Sequence, residues 1–208
     1  MSKWADAIYD ESVKFTTPLP DKSLLTSLSK DASILDVGCG YGRTLNYLQG
    51  LGFKKLTGFD VSEGYVNKAK KDCPTGDIFV ANFENFNLKN KYDLILLMGV
   101  IEYLLTDEEQ GIFFEKISKS LSSNGSVLLE TFIIDIKSNW KQYLSGYIKT
   151  FHWGRFKNSK GFECHHQSVG ELKKILKKHF IIESSVEKNY STWTDNACRG
   201  YYFNLKKK

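Results

Sequence analysis

Short runs of apolar residues alternate with longer segments of mixed polarity from about residue 33 onward. The apolar runs are rich in β-branched residues and have the length of buried strands in a parallel sheet. Five such strands are predicted before residue 133, and two more β-rich runs follow near the end of the chain. The seven predicted strands are Ser33–Val37, Lys55–Phe59, Ile78–Ala81, Tyr92–Met98, Ser126–Phe132, Phe180–Val186 and Arg199–Leu205.

Segments with helical spacing of apolar residues lie between several of these strands. Two of them open with a capping box, formed by Thr106 and Glu109 in one case and by Ser168 and Glu171 in the other. This alternation predicts an α/β fold with a doubly wound, mostly parallel seven-stranded sheet, and the late strand pair predicts an antiparallel edge. The predicted helices are Tyr41–Leu48, Glu63–Lys71, Thr106–Leu121 and a helix from Ser168 to about Lys178.

Two stretches fall outside this alternation. Residues 1–16 have the spacing of an amphipathic helix, and residues 133–167 form a long aromatic and basic segment after the fifth strand. We interpret the first as an N-terminal lid helix and the second as an insertion that caps a binding site. Residues 1–208 as a whole are expected to form a single domain, because a chain of this length can bury one core.

Composition places the chain among globular proteins, since 41% hydrophobic and 25% charged residues exclude the disordered and fibrous classes. No apolar run approaches the ~18 residues that a membrane-spanning helix needs, and the N-terminus lacks an apolar signal core. We therefore expect a cytoplasmic protein with no membrane partner. Four separated cysteines without a C-x-x-C pair predict reduced thiols rather than disulfides or a zinc site.

The formal net charge of +5 is concentrated late in the chain. Residues 136–180 contain ten Lys or Arg residues against two Asp or Glu residues. Such a basic block can bind an anionic ligand, a nucleic acid or an acidic partner, although a lysine-rich surface is more often only a solvated face. Both interpretations stay open on charge alone.

The segment ILDVGCGYGR, residues Ile34–Arg43, ends a strand with an acidic residue and continues into three glycines. Glycines allow a tight turn and let a ligand approach the backbone, so this segment is predicted to be a binding loop. The G-x-x-x-x-G-K-[ST] pattern of a P-loop is absent. Asp36 lies two residues before the first glycine, where it would repel a pyrophosphate, so the loop fits a cationic ligand better.

Further polar residues follow the next strands. Asp60 ends the second strand about 20 residues after Gly40, a spacing typical of a carboxylate that binds ribose hydroxyls and one that would suit NAD equally well. Asn82 and Phe83 follow the third strand and offer a polar group and an apolar surface to an adenine ring. Met98 ends the fourth strand.

These four motifs, in this order over about residues 33–132, resemble the class I S-adenosylmethionine-dependent methyltransferases. The resemblance implies a Rossmann-like methyltransferase fold, S-adenosylmethionine as the donor and S-adenosylhomocysteine as the product. It implies that Asp36 and the glycine backbone hold the amino acid end of the donor. Glu102-Tyr103 stands where many family members that act on small molecules carry Glu-His, so the role of that histidine is not transferred. The implied donor-binding residues are Asp36, Gly38, Cys39, Gly40, Gly42, Asp60, Val61, Asn82, Phe83, Met98 and Tyr103.

Candidate acid–base residues lie late in the chain. His152, His165 and His166 carry imidazoles whose ordinary pKa suits proton removal near neutrality. Glu130 lies near the end of the fifth strand, at the edge where open sheets bind ligands. Cys164, which precedes the adjacent histidines, has no matching ligand cluster elsewhere, so no metal is predicted. The predicted acceptor-binding residues are Tyr9, Trp153 and Arg155.

The resulting hypothesis is a methyltransferase that acts on an oxygen or nitrogen of a small, anionic or aromatic metabolite. There are two alternatives. In the first, the acceptor is a tRNA or a protein; in the second, the chain is a non-catalytic domain that only binds the donor. An NAD-dependent dehydrogenase is the rival on fold alone. Because no RNA-binding module is evident, we expect a small-molecule acceptor and no nucleic-acid partner. A homodimer is left open.

Overall fold

The computed structural model describes residues 18–84, 86, 88, 90–158, 161–191 and 197–208. The predicted N-terminal helix, with Tyr9, lies outside these residues. The helices are α1 Lys22–Leu25, α2 Arg43–Gly50, α3 Glu63–Asp72, α4 Asp107–Ser120, α5 Ile136–Thr150 and α6 Val169–His179, with a short 3₁₀ helix at Ile101–Tyr103. The strands are β1 Ser33–Val37, β2 Lys55–Asp60, β3 Asp77–Val80, β4 Tyr92–Met98, β5 Leu121–Phe132, β6 Arg155–Lys157, β7 Glu163–His165, β8 Phe180–Ser191 and β9 Ala197–Lys207.

A seven-stranded sheet has the order β3-β2-β1-β4-β5-β9-β8. Strand β1 pairs in parallel with β2 and β4, and β2 pairs in parallel with β3. Strands β8 and β9 pair antiparallel at the edge. The predicted doubly wound, mostly parallel sheet with an antiparallel edge is therefore confirmed.

The chain divides into two compact units. Within the described residues, the first unit comprises residues 18–97 and 120–128, and the second comprises residues 98–119 and 129–208. The prediction that residues 1–208 form a single domain stays a prediction.

Strand β1 is the central strand of the first unit, and its mostly apolar sequence suits a strand that is covered on both faces. Ile34, Leu35 and Val37 in β1 are fully buried, as expected for a strand in the interior of a parallel sheet. Helix α3 begins at a cap in which the Ser62 hydroxyl accepts a hydrogen bond from the Tyr65 amide. This cap fixes the start of α3 close to the carboxyl end of β2.

Strand β5 begins earlier than the sequence pattern predicts. The predicted helix extends through Leu121 and the predicted strand begins at Ser126, whereas the structure ends α4 at Ser120 and begins β5 at Leu121. Two hydrogen bonds within the first unit hold the polar start of this strand. One oxygen of Asp93 accepts from the Ser122 hydroxyl at 2.8 Å, and the other accepts from the Ser33 amide at 2.9 Å. These tertiary contacts are not visible in local sequence.

The insertion after β5 contains α5 and the antiparallel hairpin of β6 and β7, elements that the sequence pattern did not predict. Asp135 caps α5 by accepting a hydrogen bond from the Ser138 amide. Inside the insertion, Tyr143, Phe156 and Cys164 form a buried cluster. The insertion therefore has a small core of its own within the second unit.

All four cysteines lie in the described part of the chain, and each is a free, buried thiol. Among the described residues, no helix is both long enough and apolar enough to cross a membrane.

Candidate functional site

The three glycines after β1 form a turn whose backbone only glycine adopts readily. Gly38, Gly40 and Gly42 all have positive φ angles, of 68°, 53° and 83°. A Cβ atom on Gly42 would lie 2.9 Å from the Cβ atom of Ala69 in α3. The turn therefore depends on glycine both for its conformation and for its close approach to α3.

Asp60 connects this turn to the end of the neighbouring strand. Its Oδ2 atom accepts a hydrogen bond from the Gly40 amide at 2.9 Å, and its Oδ1 atom accepts one from the Ser62 amide at 2.9 Å. The parallel register aligns Val37 with Phe59, so β1 and β2 end at the same edge of the sheet. Burial raises the pKa of Asp60, while the backbone hydrogen bonds oppose that rise.

Asp36 lies in the interior beneath the turn, at only 2% exposure. Burial, followed by repulsion from Asp60, raises the pKa of Asp36 to about 7, and Arg43 partly opposes this. Two carboxyl groups that disfavour each other's charge are stabilised by a cation between or beside them. The electrostatics at this edge therefore favour a positively charged ligand group.

The substitution Asp36→Asn is expected to stabilise the ligand-free protein at pH 8. The raised pKa means that the folded state binds more protons than the unfolded state between about pH 4 and 7, so this group lowers stability as pH rises through that window. We expect a gain on the order of 2 kcal/mol at pH 8 and little gain at pH 4, measured by urea denaturation. The matched control is Asp31→Asn, whose carboxylate is exposed beside Lys54. If the stability of Asp36→Asn depended on pH as that of the wild type does, the raised pKa of Asp36 would be contradicted.

The remaining predicted donor residues of the first unit lie at the ends of β2 and β3 or in the turn. Cys39 is buried, and a Cβ atom placed on Gly58 in β2 would lie 3.1 Å from its Sγ atom. The Cys39 side chain therefore faces the core. Val61 is half-buried. Asn82 and Phe83 are also half-buried, and the Asn82 Oδ1 atom accepts from the Glu84 amide at 2.9 Å. That hydrogen bond stabilises the local turn.

Met98 and Tyr103 belong to the second unit. Met98 is the last residue of β4 and is half-buried. Tyr103, in the 3₁₀ helix, packs against the buried cluster of Tyr143, Phe156 and Cys164. This packing gives Tyr103 a structural role beside the donor-binding role that the resemblance implies.

Glu102 is a buried acid that the set of predicted site residues does not contain. It is 3% exposed, and its Oε1 atom accepts hydrogen bonds from the Thr131 hydroxyl at 3.1 Å and the Phe132 amide at 2.9 Å. Burial raises the pKa of Glu102 to about 7. The signal in the sequence is a carboxylate that closely follows the apolar strand β4.

The structure gives the predicted acid–base residues different surroundings. His166 is 6% exposed, its Nδ1 atom lies 2.9 Å from the Tyr143 hydroxyl, and burial lowers its pKa to about 3. A neutral, enclosed ring of this kind is a structural group, which argues against the predicted role of His166 as a general base. His152 is exposed, whereas Glu130 is fully buried.

His165 and Arg155 occupy paired positions in the β6–β7 hairpin. Both are half-buried, and the pKa of His165 is lowered by burial and by the positive charge of Arg155. Trp153, one of the predicted acceptor-binding residues, is 43% exposed. The described residues contain no group of three His, Cys, Asp or Glu side chains that could hold a metal ion.

Comparisons with known proteins agree with this geometry. The model of a methyltransferase domain family matches residues 13–179. A protein of Invertebrate iridescent virus 6 that is named a methyltransferase is 24% identical over 159 residues, covering 75% of this chain and 58% of the viral protein. The ubiquinone biosynthesis O-methyltransferase of Dictyostelium discoideum is 23% identical over 162 residues, covering 65% of this chain and 48% of that protein. The chain thus spans about half the length of these relatives.

A solved structure of an S-adenosylmethionine-dependent methyltransferase from Methanosarcina mazei matches with a TM-score of 0.83 and 21% identity, covering 91% of this chain and 99% of that one. An N-methyltransferase from Bradyrhizobium japonicum, solved with S-adenosyl-l-homocysteine, matches with a TM-score of 0.63 and 15% identity, covering 85% of this chain and 79% of that one. At these identities the similarity shows the fold. Because the family model matches most of the chain and the fold agrees with it, the chain belongs to the methyltransferase domain family.

Proposed function

We propose that the chain is an S-adenosylmethionine-dependent methyltransferase that transfers a methyl group to an oxygen or nitrogen atom of a small anionic or aromatic acceptor. The observation that carries this proposal is the position of Asp60 across the glycine turn. Its carboxylate oxygens accept the amides of Gly40 and Ser62, and a backbone hydrogen bond from Val61 also reaches this carboxylate. A carboxylate has about four acceptor positions, so acceptor capacity remains for ligand hydroxyls. The two neighbouring hydroxyls of a ribose fit this arrangement.

The acidic pair favours this donor over NAD. Asp36 is buried directly before the glycine turn, and repulsion from Asp60 contributes to its raised pKa. A pyrophosphate at the same turn would add two negative charges beside these carboxyl groups, whereas the donor carries an ammonium and a sulfonium. We therefore assign Asp36 and the glycine backbone to the amino acid end of the donor, and Asn82 and Phe83 to its adenine.

The insertion supports an anionic acceptor. Within the described part of the chain, the Nε atom of Arg155 is buried and has no hydrogen-bond partner. An unpaired guanidinium nitrogen in a buried position is stabilised by a carboxylate or a phosphate, which Arg can bind with two parallel hydrogen bonds. The ring centroids of Trp153 and Tyr143 lie 6.0 Å apart, so Trp153 offers a partly exposed aromatic surface two residues before Arg155 in the chain.

Methyl transfer requires mainly that the acceptor atom be aligned with the methyl group. The bound donor supplies an already activated methyl group, so the chain has to hold the acceptor atom in line with that group and exclude water. Where the acceptor atom must lose a proton, His165 and His152 are our candidate general bases. His165 pairs with Arg155 in the hairpin, so an anion held by Arg155 would lie on the same small sheet as this imidazole.

The names of several relatives support a small acceptor. They include the phosphoethanolamine N-methyltransferase of Plasmodium falciparum and the ubiquinone biosynthesis O-methyltransferase of Pelagibacter ubique. Others are named for macromolecules, such as the N-terminal Xaa-Pro-Lys N-methyltransferase 1 of Xenopus tropicalis. A protein or tRNA acceptor, docked on the basic block of residues 136–180, is therefore the second candidate.

The proposal is tested by measuring donor binding and methyl transfer together. Calorimetry should show binding of S-adenosylmethionine and of S-adenosylhomocysteine, with NAD binding far more weakly. Transfer of a labelled methyl group to a panel of small carboxylates, phosphates and phenols should then give a product. Tight NAD binding without donor binding would replace the proposal with a dehydrogenase. Donor binding without transfer to small molecules, tRNA or peptides would leave a donor-binding domain.

The substitution Arg155→Ala is expected to raise the KM for an anionic acceptor by about tenfold or more and to leave donor affinity unchanged, because a charge-assisted pair of hydrogen bonds is lost. The matched control is Lys157→Ala, an exposed cation on the same strand, which should change KM little. Initial rates at varied acceptor concentration give both values. Equal KM values for the two variants would contradict the anionic-acceptor assignment, and a steep loss of activity with added salt would favour a nucleic acid.

A further inference from the structure

Helix α5 exposes an unusual amount of apolar surface. Six of the twelve large hydrophobic side chains that are exposed in the described part of the chain lie on α5 or on its C-terminal cap. Phe151 is 80% exposed and Ile148 is 66% exposed. We call this surface the outer face of α5. It consists of Ile136, Trp140, Leu144, Tyr147, Ile148 and Phe151.

The core of the insertion does not use this face. The buried residues of α5 are Asn139, Tyr143 and Gly146, and a Cβ atom on Gly146 would meet the backbone of Arg155 in β6. Among the described residues, the helix therefore packs on the hairpin through one side, and the outer face stays exposed. A contiguous apolar surface of this kind marks an interaction site in soluble proteins.

The outer face also carries positive charge. Its middle part contains a shallow groove of about 370 Å³, in which Trp140, Leu144 and Ile148 alternate with Lys141 and Lys149. In the sequence, no Asp or Glu occurs between Asp135 and Glu163. The surface therefore combines aromatic and aliphatic side chains with lysines, in a stretch of sequence that contains no acidic residue.

The combination of apolar side chains and lysines favours some binding partners of the outer face of α5 over others. A second copy of the chain on the same face would bring two lysine-bearing surfaces together, because a two-fold interface pairs a surface with itself. An anionic lipid surface complements both properties, since its acyl region accepts aromatic and aliphatic side chains and its headgroups pair with lysine. We propose that the outer face of α5 binds the surface of membranes that contain anionic lipids, with the helix lying parallel to that surface.

This inference goes beyond the proposed function, because it requires neither donor nor acceptor. It also differs from the sequence-based expectation of no membrane partner. That expectation depends on the lack of an apolar run of about 18 residues, which excludes a spanning helix. A helix that lies on a membrane needs only one apolar face, and α5 provides it.

The test is flotation of the 208-residue chain with vesicles of phosphatidylcholine alone and of phosphatidylcholine mixed with phosphatidylglycerol. We expect binding to the mixed vesicles that weakens with added salt, and much weaker binding to the neutral ones. The double variant K141E/K149E should lower the partition coefficient by about tenfold or more, because each lysine near an anionic surface contributes several-fold. Ile148→Ser should lower it as well, by loss of inserted apolar surface.

Matched controls separate this site from general surface effects. Ile112→Ser changes an isoleucine on α4 that is 53% exposed, and K174E/K177E reverses two exposed lysines on α6. Both control variants should bind vesicles as the wild type does. Absence of wild-type binding to anionic vesicles, or equal losses in the α5 and control variants, would overturn the proposal. Self-association that Ile148→Ser abolishes, without vesicle binding, would overturn it in favour of an interface between copies.

Discussion

Replacing Asp60 with alanine is expected to weaken donor binding by about 1.5–3 kcal/mol, or roughly 10- to 160-fold, since charge-assisted hydrogen bonds to two hydroxyls are lost. The same carboxylate also holds the amides of Gly40 and Ser62. Its removal therefore loosens the glycine turn in addition to removing the ribose contacts. Calorimetry with S-adenosylhomocysteine at pH 8 measures the change.

Two further variants separate these effects. Asp60→Asn keeps one oxygen that can accept a backbone amide but loses the charge, so it should bind the donor more tightly than Asp60→Ala and more weakly than the wild type. Asp31→Ala removes an exposed carboxylate beside Lys54 in the same unit and should leave affinity unchanged. Unchanged affinity in Asp60→Ala, with an intact circular dichroism spectrum, would remove Asp60 from the donor site.

Replacing Gly146 with alanine is expected to destabilise the protein by about 2–4 kcal/mol, although alanine is the better helix former. A Cβ atom at this position would fall on the backbone carbonyl oxygen of Arg155 and within 3.1 Å of the Cα atom of Phe156. The backbone of β6 cannot move away from the new atom as a flexible side chain could, so α5 and the hairpin would have to separate. Urea denaturation and the Tm measure the loss.

The matched control is the same substitution in another helix. Gly111 lies in α4, and a Cβ atom there would meet nothing within 4 Å. Gly111→Ala should therefore stabilise the protein by about 0.5–1 kcal/mol through helix propensity alone. Opposite signs for the two variants would support the packing of α5 on the hairpin, whereas two stabilising substitutions would show that the two elements are not in close contact.

The sequence predicts the strand ends and the glycine turn of the first unit well because their features are local. A strand that ends in Asp36, a glycine turn and a second strand that ends in Asp60 are each visible in a few consecutive residues. Parallel pairing then brings the two strand ends to one edge, as the register of β1 and β2 shows. The capping box of Thr106 and Glu109 is local in the same sense, and the structure contains both of its hydrogen bonds.

The insertion was less predictable because its contacts connect residues that are distant in sequence. Nothing near His166 indicates that its ring meets the Tyr143 hydroxyl, 23 residues earlier. An exposed base and a buried structural ring look alike in the pattern Cys-His-His. The three-residue strands of the hairpin are also too short for a period of two to stand out, and β6 packs against a helix that lies apart from it in sequence.

Glu102 is a second residue whose surroundings depend on contacts that the sequence does not show. Its hydrogen bonds to Thr131 and Phe132 join the segment after β4 to the end of β5, about 30 residues away. Sequence order alone leaves this carboxylate as either a surface charge or a buried acid. Its pKa of about 7 follows from the burial that only the fold provides.

The distribution of the four buried thiols has a practical consequence. Cys39 and Cys73 lie in the first unit, and Cys164 and Cys198 lie in the second. Burial raises the pKa of each thiol, so the native protein contains little of the thiolate that alkylating reagents attack. Local opening removes that protection from the thiols of the segment that opens. Brief alkylation at increasing urea, followed by peptide mass spectrometry, would therefore report which unit opens first, with no engineered label.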